Sequence, residues 1–379
     1  MSDPYAGLYL HVPFCARVCP YCDFAVRTGN AAKRHSYVES LLAEIELHAG
    51  ESPTFDTIYF GGGTPSRLEP GDLDRIVARI GERLATTDDP WVFLEANPED
   101  VTPEAAAAWK RTGVRTVSLG VQSFDAEELA FLGRTHSADR ARDAIGICRE
   151  TGFHTVSIDL IYGLPGQTTD AWHRRLDAAI ETEPDHLACY QLTIHERTRF
   201  ALLEKRGELT QMPDEGQAAV FRATHEHLNA AGYAGYEVAA FAIDPEHRSS
   251  HNMKYWNHTP YLGLGPSAHS FDGEKRWWNH RKMDPWQREI ERGVKPIDSE
   301  ETLSRRELLL EALMIGLRTY RGIDTADIER RFDTDLLAAN RELVERLHVN
   351  GLILHHGSRL IPTLDGLAVA DSLAAMFRI

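Results

Sequence analysis

The stretch Tyr9-Leu-His-Val-Pro-Phe-Cys15-Ala-Arg-Val-Cys19-Pro-Tyr21-Cys22-Asp-Phe24 decides how this chain is read. It places three of the five cysteines within eight positions. A short apolar run over 8–12 precedes them and predicts a strand, and Pro13 ends any regular ladder. Thiolates spaced this closely on a loop can converge on one soft metal centre, and Cys-rich loops of this kind hold iron–sulfur clusters. Only three cysteines lie here, so one iron of a four-iron cluster would lack a protein thiolate. An open coordination position is where chemistry happens at a metal. A structural zinc site needs a fourth ligand, which His11 or His35 can offer, but no second Cys-x-x-Cys pair accompanies the first. A disulfide reading leaves one cysteine over. Spacing alone favours iron–sulfur over zinc without deciding it.

The pattern Cys-x-x-x-Cys-x-x-Cys, with Tyr21 before the third cysteine, resembles the signature of radical S-adenosylmethionine (SAM) enzymes. The resemblance implies that Cys15, Cys19 and Cys22 hold a [4Fe–4S] cluster. It also implies that the amino and carboxylate groups of SAM chelate the fourth iron, and that one electron splits SAM to a 5′-deoxyadenosyl radical. In such proteins the cofactor carries the hard chemistry and the chain orients it.

Length and composition set the outer limits. A chain of 379 residues suggests one large and one small domain, or two, and 42% hydrophobic residues is ample for a sizeable core. The net charge of −16 argues against non-specific nucleic-acid binding, which relies on neutralising phosphates, and more weakly against docking on anionic membranes. No apolar run approaches the ~20 residues of a spanning helix, and residues 1–7 carry no signal-peptide pattern. Clustered thiols without a secretion signal imply a reducing cytoplasm. Cys148 and Cys189 sit among apolar residues and read as buried packing positions.

After the Cys loop, Tyr37, Leu41, Leu42, Ile45 and Leu47 predict a helix over 31–48, with Gly50 as its stop. Strands are predicted over 57–60, 91–96, 114–119, 155–161 and 186–192. Helices are predicted between them over 70–84, 103–111, 125–132, 137–150 and 168–180. Such alternation means a parallel sheet with helices outside, either doubly wound or closed into a barrel. The resemblance selects an α/β fold of the radical SAM type, a partial six-stranded (β/α) barrel. In β/α architectures active sites lie at the carboxyl ends of strands, and those ends hold a consistent set here. Gly61-Gly62-Gly63-Thr64-Pro65 can bring backbone very close to a ligand, because glycine lacks Cβ, and it is not a dinucleotide fingerprint. Glu95 ends an apolar strand and is too costly to bury without a partner. Gln122 follows Leu119-Gly120-Val121. Arg134 carries a fork that can clamp a carboxylate, and Asp159 can accept from ribose hydroxyls. Each alone has an ordinary structural explanation: a strand-end glutamine caps a loop, and a loop arginine is a surface charge. Together, after this Cys loop, their order and spacing resemble those of oxygen-independent coproporphyrinogen III oxidases. That resemblance implies that Tyr9, Tyr21, Gly62, Gly63, Thr64, Glu95, Gln122, Arg134 and Asp159 bind SAM, with Tyr9 packed near the cluster.

Beyond residue 199 the pattern changes. A helix is predicted over 214–231 and a strand over 236–241. His251-Asn252-Met-Lys-Tyr255-Trp256 follows, within an aromatic- and His-rich segment that runs to His280. A planar apolar macrocycle wants aromatic walls and an axial nitrogen, and histidine is a common haem ligand. On composition alone, a histidine beside Tyr-Trp is more often a hydrogen-bonded core residue. The last portion reads as amphipathic helices over 305–318, 335–347 and 365–376 around a hairpin over 351–362. This looks like a winged-helix module, and without a strongly basic charge it suggests a lid or a docking surface rather than a DNA reader. The organisation expected is a barrel over 1–235, a connecting segment over 236–300 and a winged-helix-like domain over 301–379.

Three features separate the chain from the oxidases. Phe24 stands where they carry a further cysteine, only eight residues precede Tyr9, and His251-Asn252-x-x-Tyr255-Trp256 is present. In each respect the chain resembles the haem chaperones of the oxygen-independent coproporphyrinogen III oxidase-like family. The resemblance implies a [4Fe–4S] cluster, SAM and haem as cofactors, with His251, Asn252, Tyr255 and Trp256 linked to haem. It leaves the iron ligand open among His251, His258, His269 and His280. It implies delivery of haem to apo-haemoproteins such as respiratory cytochromes, a reducing partner for the cluster and transient contact with membrane proteins. The alternative it leaves is oxidative decarboxylation of coproporphyrinogen III propionates.

Overall fold

The computed structural model of the protein describes residues 5–50 and 53–379. Its frame is a run of parallel strands with helices between them. The strands are β1 (Ala6–Val12), β2 (Phe55–Gly62), β3 (Thr86–Ala96), β4 (Val114–Gln122), β5 (Thr155–Tyr162) and β6 (His186–Gln191). The intervening helices are α1 (Ala31–Leu47), α2 (Pro70–Arg83), α3 (Pro103–Arg111), α4 (Ala126–Phe131), α5 (Ala138–Thr151) and α6 (Thr169–Ile180). Each strand pairs in parallel with the next, so the expected six-stranded β/α frame is present.

Period-two alternation sorts its side chains. Leu8, Leu10, Ile58, Phe60, Val92, Leu94, Val117, Leu119, Val156 and Ile158 are buried in the main core. The alternate positions, which share a face because Cβ direction alternates along a strand, are Tyr9, Tyr59, Phe93, Glu95, Ser118, Ser157 and Asp159. Register aligns Tyr9 with Tyr59, Tyr59 with Phe93, Glu95 with Ser118 and Ser118 with Ser157. One face is therefore apolar under helices and the other polar and aromatic.

Local signals explain where helices start and stop. Asn30, Thr102, Ser137 and Thr168 each accept a backbone N–H at their helix N-terminus, as N-caps do. Gly152 ends α5 at φ 76°, a left-handed stop that glycine supplies without strain.

Residues 236–300 do more than connect. Helices α7 (Arg199–Lys205) and α8 (Asp214–Ala230) lead to β7 (Ala234–Gly235) and β8 (Ala240–Ala242), and β8 joins the β6 edge antiparallel. Helix α9 (Ser250–Trp256) carries the chain to β9 (Tyr261–Leu264), which pairs in parallel with β1. Strands β10 (His269–Phe271), β11 (Lys275–Asn279) and β12 (Ile297–Thr302) extend that edge antiparallel, and α10 (Met283–Glu291) lies between the last two. The result is a 12-stranded sheet. These strands are short, and their alternation is hard to read from sequence.

The C-terminal module has its own core of Leu309, Leu313, Ile328, Leu347 and Leu360. It comprises α11 (Arg305–Gly316), β13 (Ile323–Asp324), α12 (Thr325–Phe332), α13 (Leu336–Ala339), α14 (Arg341–Val349), β14 (Ile353–His356), β15 (Arg359–Pro362), α15 (Leu364–Ala368) and α16 (Ala370–Met376). The predicted hairpin is β14–β15, to which β13 adds a third strand. The helix predicted over 335–347 breaks at Asn340, whose amide donates to the Leu336 and Arg378 carbonyls. The last predicted helix is likewise two pieces. Cys148 and Cys189 are buried as expected. No described helix is long and apolar enough to cross a membrane.

Candidate cluster and cofactor site

The carboxyl ends of the strands surround a cavity of about 530 Å³, within the usual range for small-molecule sites. Its lining gathers Cys15, Cys19, Cys22, Tyr21, Gly62, Gly63, Thr64, Glu95, Gln122, Arg134 and Asp159 from the length of the barrel. Tyr9 does not line it. Tyr9 stacks on Tyr59 with centroids 6.1 Å apart and its hydroxyl meets His11 Nδ1 at 3.1 Å, while His11 Nε2 donates to the Ala25 carbonyl at 3.0 Å. His11 thus ties the barrel strand to the Cys loop.

That loop is pinned by backbone on several sides. Cys15 N donates to Arg27 O at 3.0 Å and Arg27 N to Pro13 O at 2.7 Å. Cys22 N donates to Cys19 O at 3.2 Å and Phe200 N to Pro20 O at 3.0 Å. The glycine turn presses on the loop itself. Gly63 N donates to Val12 O at 2.8 Å, and a Cβ on Gly63 would lie 2.8 Å from Val12 O and 2.9 Å from Phe14 O. At Gly62, φ is 109°, and a Cβ would meet His11 Nδ1 at 2.5 Å. Close approach is thus between two pieces of this chain, and it holds the thiols against the strand ends.

Two carboxylates face the cavity. Glu95 accepts from Tyr59 OH at 2.9 Å and from Gly62 N at 3.1 Å; burial pushes its pKa up and those two bonds oppose the shift. Asp159 accepts from Ser118 Oγ at 3.1 Å. Burial, then the charge of Glu95, pushes it up to about 7 against Ser118 and Arg134. Arg134 donates to Asn97 Oδ1 and to Gly120 O, and approaches Cys19 Sγ at 3.7 Å. Thr64 Oγ1 lies 3.5 Å from Cys15 Sγ, and burial raises that thiol to about 11 against Thr64. Gln122 sits at φ 67° beyond a register shift in β4, which turns the strand end toward the cavity.

Asn97, Tyr59 and Ser118 are the positions that sequence reasoning missed. Asn97 bridges Thr64 Oγ1 and Arg134. Its signal was its place two residues beyond Glu95; Tyr59 and Ser118 looked like ordinary strand residues.

The donor set fits the implied cofactors. Among the described residues, no group of three or more His, Cys, Asp or Glu converges tightly enough for one metal ion. A cube held through three of its four irons needs three thiolates around one space, and Cys15, Cys19 and Cys22 line one shared cavity. Two buried acids held above their usual range want a cationic ligand, and one arginine offers a carboxylate its partner. SAM carries a sulfonium, an ammonium, a carboxylate and ribose hydroxyls. Cys15, Cys19 and Cys22 would hold a cluster here, and it would supply one-electron chemistry.

The motif at His251 lies elsewhere. His251 is buried and stacked on Tyr59 at 5.0 Å. Its Nδ1 meets Thr57 Oγ1 at 2.9 Å and its Nε2 meets Tyr255 OH at 2.9 Å. Burial, then the Lys254 charge, lowers its pKa to about 3. Both nitrogens are engaged in the barrel wall, so in this conformation neither is open to an iron. Asn252 is half-buried and its backbone N–H donates to Ser249 Oγ at 3.2 Å. Trp256 reaches a second cavity. Phe24 is 68% exposed beside the Cys loop.

Residues 9–179 match the model of the radical SAM superfamily, and residues 303–369 that of the HemN C-terminal domain. The chain is 35% identical over 372 residues to heme chaperone HemW of Mycobacterium tuberculosis, covering 97% of this chain and 93% of the relative. HemW of Lactococcus lactis is 30% identical, with 97% and 96% covered. The chain belongs to the HemW family. A solved structure, HemN, the coproporphyrinogen III oxidase of Escherichia coli, superposes with a TM-score of 0.83 over 98% of this chain and 90% of that one. At 21% identity it shows the radical SAM fold alone. Membership of the HemW family within that superfamily gives the chain its cofactors, a [4Fe–4S] cluster and SAM.

Proposed function

We propose that this HemW-family chain is a haem chaperone, binding haem and handing it to apo-haemoproteins, respiratory cytochromes among them, in the cytoplasm. The observation that carries the reading is the 35% identity to heme chaperone HemW of M. tuberculosis over 93% of that protein. In this reading Cys15, Cys19 and Cys22 hold the cluster, while Gly62, Gly63, Thr64, Glu95, Gln122, Arg134 and Asp159 hold SAM. Tyr21 closes the loop over them, and Tyr9 supports it through His11. A reducing partner serves the cluster, contact with membrane-bound acceptors is transient, and reduced thiols require the cytoplasmic compartment.

The fold shared with E. coli HemN supports a second reading, oxidative decarboxylation of coproporphyrinogen III. Phe24, in place of the oxidases' further cysteine, favours the chaperone. The deciding experiment gives anaerobically reconstituted protein haemin in one assay, and coproporphyrinogen III with SAM and a reductant in another. Saturable haem binding and transfer to an apo-cytochrome are expected. Protoporphyrinogen formation would overturn the reading.

A further inference from the structure

Asn97 stands at the start of a short 3₁₀ helix, Pro98–Asp100, where an asparagine side chain commonly accepts a backbone N–H. It makes no such bond. Its amide lines the cysteine-lined cavity instead, and both ends are engaged there. Nδ2 donates to Thr64 Oγ1 at 3.2 Å, and Oδ1 accepts from Arg134 Nη2. We propose that Asn97 is a positioning residue for the cluster: it fixes the two side chains that donate to cluster thiols, Thr64 on Cys15 and Arg134 on Cys19, and through them sets the cluster's reduction potential. This rests on the assignment of the three thiols to the cluster, and adds a residue that acts on it at one remove.

Each link gives a donor one direction. Thr64 Oγ1 accepts from Asn97, so its single hydrogen is left for Cys15 Sγ, 3.5 Å away. Arg134 Nη2 is held by Asn97 Oδ1 and by the Gly120 carbonyl at 2.8 Å, which aims Nη1 at Cys19 Sγ, 3.7 Å away. A Cβ at Gly120 would lie 3.3 Å from Asn97 Oδ1 and 3.4 Å from Arg134 Nη2, so the glycine leaves room for that pair to close. Asn97 is itself anchored through its backbone. Its N–H donates to Ser66 Oγ at 3.3 Å, Ser66 donates to Asp100 Oδ2 at 2.8 Å, and Asp100 pairs with Arg67 at 2.9 Å.

A donor aimed at a ligand sulfur stabilises the more negative, reduced form of a thiolate-held cluster over the oxidised form. Hydrogen bonds to the sulfurs are among the factors that set such potentials, and the outer residues that orient them matter nearly as much as the ligands. The Arg134 charge acts in the same direction. One amide governs both donors, because its two ends hold Thr64 and Arg134 at once. Freed from Asn97, the Thr64 hydroxyl can rotate and the Arg134 fork can swing away from Cys19.

The test is an EPR-monitored redox titration of anaerobically reconstituted full-length protein without SAM, with iron content measured alongside. Asn97→Ala should hold as much iron as wild type and shift the midpoint potential to more negative values. Thr64→Val, which removes the hydroxyl at Cys15, should also lower the potential, while Thr64→Ser should keep it. Combining Asn97→Ala with Thr64→Val should shift the potential by less than the sum of the two single shifts, because Asn97 acts partly through Thr64. Asn97→Asp, of nearly the same shape, takes its place in this cycle if Asn97→Ala takes up no cluster. An Asn97 variant with full iron content and the wild-type potential, or strictly additive shifts in the cycle, overturns the proposal but leaves the cluster assignment standing. A wild type that holds no four-iron cluster overturns the assignment itself, and the proposal with it.

Discussion

Gly63 and Gly81 show how differently one methyl group acts at two positions. At Gly63 a Cβ would strike the Val12 and Phe14 carbonyl oxygens at 2.8 and 2.9 Å, in the strand end that carries Cys15. Gly63→Ala should cost about 1–3 kcal/mol by overpacking and lower iron incorporation, measured by chemical unfolding and iron content. Gly81, inside α2, has nothing within 4 Å, so Gly81→Ala should stabilise by about 0.5–1 kcal/mol through helix propensity. Asp159 supplies a pH dependence. Its folded pKa of about 7 lies above its unfolded value, so the folded state holds the proton more tightly. Its contribution to stability therefore falls as pH rises from the unfolded value to about 7. Asp159→Asn should raise the unfolding temperature of the cofactor-free protein at about pH 8 more than at about pH 5. SAM affinity in wild type should run the other way, rising up to about pH 7, because a cationic ligand favours the ionised acid. A SAM titration flat across that range would remove Asp159 from the site. His251→Ala strips partners from Thr57 and Tyr255 and should cost about 2–4 kcal/mol, with haemin affinity retained. Loss of haemin affinity at full stability would return His251 to the haem site.

Elements are tied together by a few buried polar contacts that carry no periodic signal. Glu44 on α1 is fully buried and accepts from Gly265 N at 2.8 Å, Trp286 Nε1 at 3.1 Å and Asn279 Nδ2 at 2.6 Å. It thus joins the first helix to residues more than two hundred positions later, a contact that α1's own sequence does not announce. Glu44→Ala leaves those donors unpaired and should cost about 3–5 kcal/mol in chemical unfolding. The parallel strands were legible because each carries a β-rich run between helix signals. The Cys loop, glycine turn, Glu95, Gln122, Arg134 and Asp159 were legible because strand ends are where a β/α frame places polar residues. Strands of three to five residues such as β10 and β11 were not, because runs that short give periodicity no length to act on. Tyr59 and Asn97 were also hidden, since their roles come from neighbours across the sheet.

At the scale of the whole molecule, the cysteine-lined cavity and the cavity reached by Trp256 lie apart. One sits at the strand ends under the thiols, and the other lies between the barrel and the C-terminal module. The His251 motif stands between them. Its histidine stacks on Tyr59, which donates to Glu95, while its tryptophan lines the second cavity. Everything on the cofactor side depends on three thiols holding one four-iron cube with a corner free for SAM. The Mössbauer spectrum of anaerobically reconstituted protein tests this most directly. We expect a [4Fe–4S] signal in which one iron site changes when SAM is added, and which is lost when Cys15, Cys19 and Cys22 are replaced by serine. A spectrum without a four-iron centre, or one unchanged by those replacements, would contradict the account.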